Sequence, residues 1–193
     1  WKFGGASFTS SAAAGATSHS VTIPAEWMNQ IPNAVSGTAT VTMQTYASAT
    51  LIGTTTASFT VAVPSSIVPT LATLSVAAVN PYNSLTLQNV SSAKATLSGA
   101  SGQYGATIAR VQITGNGETA SAYSLTTGVL KTAGNITFTA QVWDSRGRTA
   151  SKTASIYVTS YAAPRITGTT EFRCDASGAA LRNGTYASCK ASW

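Results

Sequence analysis

Residues Gly134 to Val158 read GNITFTAQVWDSRGRTASKTASIYV. Ile136, Phe138, Ala140 and Val142 alternate with Thr137, Thr139 and Gln141, and Ile156 and Val158 alternate in the same way further on. Successive side chains of a strand point to opposite faces, so this pattern predicts two strands, each with one buried and one solvated face. Between them Asp144-Ser145-Arg146-Gly147 has turn chemistry, with Asp at the first position and Gly at the last. The same hairpin occurs a second time, 97 positions earlier, where Gly37 to Val61 read GTATVTMQTYASATLIGTTTASFTV. Gly134 falls on Gly37, Gln141 on Gln44, Trp143 on Tyr46, and Thr153-Ala154-Ser155 on Thr56-Ala57-Ser58, without a gap. Richness in Thr, Ser and Ala explains part of this match, but not the Gln followed two residues on by an aromatic. A repeat of this period is one small domain long, which predicts a tandem array.

Working outward, helical periodicity is nearly absent and β-branched residues are abundant, which predicts an all-β chain. Residues 1–19 are low in complexity and read as short strands and a loop, followed by a short strand at Ser20-Val21-Thr22-Ile23. Pro24 to Ile31 is the one helical turn: proline suits its first position, and Trp27 and Ile31, four apart, share its buried face. Pro64-Ser65-Ser66-Ile67-Val68-Pro69 reads as a semi-rigid linker. After it, strands around Leu71–Val76, Lys94–Ser98, Ile108–Ile113 and Tyr123–Leu130 are separated by turn signals at Gly102–Gly105 and Asn116-Gly117. Short strands at this spacing predict an immunoglobulin-like or fibronectin-like β-sandwich over 70–163, 94 residues against the ~100 of such domains.

The expected layout is therefore one complete and two partial sandwiches: the C-terminal part of one in 1–63, a linker in 64–69, a complete one in 70–163, and the N-terminal strands of another in 164–193. Cys189-Lys190-Ala191-Ser192 resembles Ala93-Lys94-Ala95-Thr96, which is why the last piece reads as the start of a sandwich. This layout predicts a cut from a longer array. It also predicts that both terminal pieces need missing segments or a swapped or symmetric homo-oligomer to cover their edges.

Hydrophobic residues make up 44% of the chain and charged residues only 8%, against roughly 25% charged in ordinary globular proteins. A packed core is expected, under a neutral, hydroxyl-rich surface. The net charge is +6, but the 11 Lys and Arg are scattered and not interleaved with aromatics, so nucleic acid is not an expected partner. No apolar run reaches the ~18 residues of a membrane-spanning helix, and a membrane is not an expected partner either.

The residues that could carry chemistry are few. The carboxylates are Glu26, Glu118, Asp144, Glu171 and Asp175, and no two share a spacing that would put them on one strand face. His19, the only histidine, lies in a low-complexity stretch. No catalytic residue, metal ligand or cofactor is expected. Cys174 and Cys189 flank the turn signal Asn183-Gly184, and both a disulfide across a hairpin and two reduced cysteines on strands fit that arrangement. Arg146 and Arg148 have two readings: an exposed cation pair for an anionic cell-wall polymer, or a turn, which is preferred. Trp143 reads as a packing anchor. A carbohydrate-binding module would need exposed aromatics gathered on one face or loop end, with Tyr82, Tyr104 and Tyr123 the candidates.

Several segments, taken in order, resemble a known family. They are Thr22-Ile23-Pro24 with Trp27 and Gln30-Ile31-Pro32-Asn33, then Leu51-Ile52-Gly53, Phe59-Thr60-Val61 and Ile67-Val68-Pro69. They continue as Ser101-Gly102-Gln103-Tyr104-Gly105-Ala106-Thr107-Ile108, Asp144 to Arg148, Tyr161 with Pro164, Phe172-Arg173-Cys174 and Asn183-Gly184-Thr185-Tyr186. The chain is similar to minor structural proteins at the tail tips of long-tailed bacteriophages of Gram-positive bacteria, which carry tandem immunoglobulin-like domains. The resemblance implies a non-enzymatic virion tail component, a spacer or adhesion module whose partners are other tail proteins and host cell-wall polysaccharide. The alternatives are a carbohydrate-binding module gripping the host envelope and the spacer region of a cell-wall hydrolase.

Overall fold

The computed structural model describes residues 1–193, which form two compact units, Trp1–Thr159 and Ser160–Trp193. The first unit opens with β1 (Lys2–Phe3), β2 (Ala6–Ser7), a 3₁₀ helix (Ala25–Gln30), β3 (Ser36–Ala47) and β4 (Thr50–Ala62). These strands form one antiparallel sheet in the order β2-β1-β3-β4. Its root is covered by an aromatic cluster. Phe3, Trp27, Ala39 and Val61 are buried, with Trp1, Phe8, Ile23, Ile31 and Phe59 packed around them. Trp27 and Ile31 meet this cluster together, as their spacing predicts, although the turn is 3₁₀ rather than α. Ser20–Ile23, expected as a strand, is irregular: Ile23 reaches the cluster, but the segment has no strand partner.

The remainder of this unit is a β-sandwich. In chain order come β5 (Thr70–Leu71), β6 (Leu74–Val79), β7 (Ser92–Leu97), β8 (Ala100–Ser101), β9 (Ile108–Gly115), β10 (Glu118–Ala120), β11 (Ser124–Val129), β12 (Gly134–Asp144) and β13 (Thr149–Val158). One sheet has the order β10-β9-β12-β13 and the other β11-β7-β6, while β5 and β8 pair separately. Val111, Ile113, Phe138, Ala140, Val142 and Val158 of the first sheet meet Leu74, Ala93, Ala95, Leu97 and Leu125 of the second in a single core. The period-2 pattern of β12 thus sends Phe138, Ala140 and Val142 inward. Gly115 permits this packing, since a Cβ there would lie 2.2 Å from the Phe138 ring.

The two repeated hairpins share a register. Gly37 pairs with Val61 and Gly134 with Val158, and the pairing runs in step until Thr45–Gly53 and Val142–Ala150. Cross-strand hydroxyl contacts occur in both, Thr42–Thr56 and Thr137–Ser155, each at 3.2 Å. Their burial differs sharply: from Thr42 to Ser58 every residue of the first hairpin is exposed.

The second unit is a hairpin of β14 (Gly168–Cys174) and β15 (Tyr186–Ser192). Cys174 pairs with Tyr186, whereas Cys189 pairs with Glu171. Three registers separate the two cysteines, about 10 Å along the strands, and the odd offset puts them on opposite faces. A disulfide needs Cα atoms within ~7 Å, so of the two arrangements the reduced one holds, and both thiols are free, Cys174 buried and Cys189 exposed.

Candidate functional site

The site is built on the tip of the β12–β13 hairpin. Asp144 closes the turn twice. Its carbonyl accepts the Gly147 N–H at 2.9 Å, and its Oδ1 accepts the N–H groups of Arg146 at 2.9 Å and Arg148 at 2.8 Å. Gly147 has a φ of 79°, the left-handed position of a three-residue hairpin loop. The second unit contains the same turn. Asp175 Oδ1 accepts from the N–H groups of Ser177 and Ala179, and Gly178 has a φ of 86°. An aspartate and a glycine three residues on therefore suffice for the fold of this turn. Asp175-Ala176-Ser177-Gly178-Ala179 holds it with no arginine, so Arg146 and Arg148 serve something else.

Arg146 is only 7% exposed. Its Nε donates to Ile31 O at 3.1 Å, Nη1 to Gln103 O at 2.7 Å, and Nη2 to Met28 O at 2.8 Å and to Tyr104 O at 2.6 Å. Two of these carbonyls lie at the C-terminal end of the 3₁₀ helix, where helical peptides present their negative pole. The other two lie in the turn between β8 and β9. The planar fork of guanidinium N–H groups thus joins the N-terminal sheet to the sandwich through backbone groups alone. Four satisfied bonds explain how a cation is tolerated in a buried place without a carboxylate on it.

The neighbours of Arg146 extend the clamp. Ser145 Oγ donates to Pro32 O at 2.6 Å and accepts from Thr107 N at 3.1 Å, again one partner on each side. Arg148 donates to Val63 O at 2.8 Å and Pro64 O at 3.0 Å, where the chain leaves β4. Gln103 Nε2 donates to Val68 O at 2.7 Å, where the chain enters the sandwich, and Pro69 beside it is fully buried. The Pro64–Pro69 connection is therefore pinned at both ends. Gly105, with a φ of 76°, lets this turn approach Asn29.

The expected surface-contact residues are distributed otherwise than a binding site requires. Arg146 and Arg148 are not an exposed cation pair: carbonyl groups of the chain itself occupy their donors. Tyr82 is 64% exposed, in the loop between β6 and β7 at the far end of the sandwich. Tyr104 is half-buried beside Arg146, and Tyr123, 44% exposed, precedes β11 at the clamp end. Tyr82 thus lies apart from Tyr104 and Tyr123, and the three do not share one loop end. Trp143 does not anchor the core. It lies on the outer face of β12 with the Arg110 guanidinium 4.3 Å from its ring, and Tyr46, its counterpart, is 54% exposed.

Other reactive groups form no constellation. His19 Nε2 lies 3.1 Å from Ser10 Oγ on an exposed segment, and no carboxylate orients the ring. No group of three His, Cys, Asp or Glu side chains converges as metal ligands. The concave surfaces are open, one lined by Asn116, Glu118, Gly128, Val129 and Lys131 and the other by Pro164, Arg165, Ile166 and Trp193. No helix is long and apolar enough to cross a membrane.

In comparisons with known proteins, residues 1–182 match a protein family described as "Siphovirus protein of unknown function (DUF859)". No curated protein matches the chain.

Proposed function

Because the chain belongs to this siphovirus protein family, we propose that it is a non-enzymatic structural component of the phage tail, a stiff spacer or adhesion module near the tip that assists host attachment. The observation that carries this reading is the Arg146 clamp. A spacer must hold successive modules at a fixed angle, and by default modules joined by a short linker move against each other. Here a buried arginine, a serine and a glutamine tie both modules and both ends of the linker together. We read the sandwich as immunoglobulin-like and the two hairpins as equivalent strands of tandem copies, because sequence and register repeat together. The partners of such a spacer are other tail proteins, and its place is the assembled virion.

Because Tyr82, Tyr104 and Tyr123 do not share one loop end, the carbohydrate-binding alternative loses its motive. Labelling purified virions with antibody to this chain and imaging them by electron microscopy tests the reading. Label at the tail tip is expected; label on the capsid, or none, contradicts it. Incubating the chain with host cells and purified envelope glycans is expected to give no saturable binding, and tight binding would return the glycan module to first place.

A further inference from the structure

Asn-Gly occurs at two turns of the chain, Asn116-Gly117 and Asn183-Gly184. The pair is chemically fragile wherever it can move, because a glycine nitrogen is unhindered and can reach the carboxamide carbon of the asparagine before it. The structure places the two pairs in opposite states. Asn183-Gly184 is held: the Gly184 N–H donates to Leu181 O at 2.9 Å, and Gly184 is buried so closely that a Cβ on it would lie 2.1 Å from Cys174 O. Asn116-Gly117 is the two-residue loop between β9 and β10, with φ of 52° and 76°, the mirror-image turn that Asn-Gly favours. No hydrogen bond holds the Gly117 N–H, Gly117 is exposed, and nothing lies within 4 Å of where its Cβ would stand. The attack needs the Asn116–Gly117 peptide to swing out of the closed turn. Only the pairing of β10 resists this, three residues at the margin of its sheet, and such margins open at little cost.

We propose that Asn116 is a modification site, at which the chain deamidates without an enzyme and thereby releases a tie between the two sheets. The Gly117 nitrogen attacks Asn116 Cγ and gives up its proton to water. A C–N bond forms, the Cγ–Nδ2 bond breaks, and ammonia leaves. Water then opens the cyclic imide at either carbonyl, giving aspartate or isoaspartate, with no oxidation or reduction. Isoaspartate routes the backbone through Cγ and so adds a carbon to a loop that has no slack, since the Gly115–Glu118 pair closes it directly. Glu118 Oε1 accepts the Gly128 N–H at 2.8 Å, and the two residues belong to different sheets, Glu118 to β10 and Gly128 to β11. A displaced Glu118 loses that bond. The new carboxylate also joins the Glu118 carboxylate on one concave surface, where like charges repel. Asn116 thus acts as a slow, irreversible timer at the end of β9 away from the Arg146 clamp.

Trypsin separates the two pairs, since Arg110 and Lys131 bracket Asn116, and Arg182 and Lys190 bracket Asn183. The full chain is aged at mildly alkaline pH, folded and in denaturant, then digested. Deamidation is read by peptide mass and isoaspartate by enzymatic methylation. Relative to the denatured chain, the folded chain should slow Asn116 by less than about tenfold and Asn183 by more than about tenfold. Asn116→Gln should remove the product from its peptide, because the longer side chain closes its ring far more slowly. The Gly128 amide should exchange faster in aged than in fresh protein at the same pH, and should not change on ageing in Asn116→Gln. Equal slowing of the two asparagines, or faster reaction at Asn183, would overturn the assignment of the site. Unchanged Gly128 exchange in converted protein would overturn the release of the tie. None of these results bears on the spacer reading, which rests on Arg146.

Discussion

The hairpins β3–β4 and β12–β13 share sequence and register yet live in different surroundings. In β12–β13 one face is sealed into the sandwich core, and in β3–β4 only the root is covered, by Phe3 and Trp27. Strand identity was thus set locally, by period-2 alternation and β-branched residues, and burial was set by what else packs there. The aligned glycines show the same division. Gly134 adopts a φ of 98° in open space, whereas Gly37 leaves room for the Phe3 ring, 2.8 Å from where a Cβ would stand. One repeated framework position meets two different physical demands. The tips differ most. Asp144–Arg148 became a clamp, while the corresponding Ala47–Leu51 carries no charge and clamps nothing.

The largest effect that would break this comparison is in the core. Phe138→Ala should cost about 3–5 kcal/mol in denaturant unfolding, through lost burial and a cavity. The corresponding Val41→Ala should cost about 0.5 kcal/mol, because its surroundings are already open. Equal costs would mean that the two faces are equally packed. Next comes the tip. Arg146→Ala strands four carbonyls and should cost about 3 kcal/mol, with the N-terminal sheet unfolding separately from the sandwich and the 64–69 linker becoming open to protease. Arg146→Lys should recover only part of this, since an ammonium cannot match the fork. Arg148→Ala, which loses two more exposed bonds, should cost about 1 kcal/mol.

The smallest effect concerns the turn without arginines. The Ser177 hydroxyl, then the backbone N–H groups of Ala179 and Ser177, hold the Asp175 carboxyl below its ordinary value. A lowered folded-state pKa adds stability above the unfolded value, and that stability is lost as pH falls through the folded value. Acid should therefore loosen the 175–179 turn, seen as lower protection of the Ser177 and Ala179 amides relative to the free-amide exchange rate at each pH, and Asp175→Asn should remove this acid dependence. Persistence of the dependence in Asp175→Asn would assign it to another group.

Much of the fold was legible because alternation, Pro and Asn-Gly or Asp-x-x-Gly signals are local. They place β9, β12 and β13, the turns at Asn116 and Asp144, and the helical turn around Trp27. The clamp was not legible, because its acceptors are backbone carbonyls, which leave no mark on residue type, and they lie up to 118 positions from Arg146. The one available signal was that the charges sit in a single copy of a repeated hairpin. The cysteine spacing left the bridged and reduced arrangements open for a related reason. A hairpin was foreseen, but its register was not, and register decides whether Cys174 and Cys189 can meet. The irregular course of Ser20–Ile23 has the same origin, since a β-prone tetrapeptide without a partner strand stays irregular.

Arg146 fixes the N-terminal sheet against the sandwich, and this is a distance that can be measured. It is tested most directly by pulsed electron spin resonance between nitroxides on Thr60→Cys and Ser121→Cys, both exposed positions, in a chain whose native cysteines are replaced by serine. One narrow distance distribution is expected with Arg146 present and a broad one in Arg146→Ala. Distributions equally broad, or equally narrow, in the two proteins would contradict it.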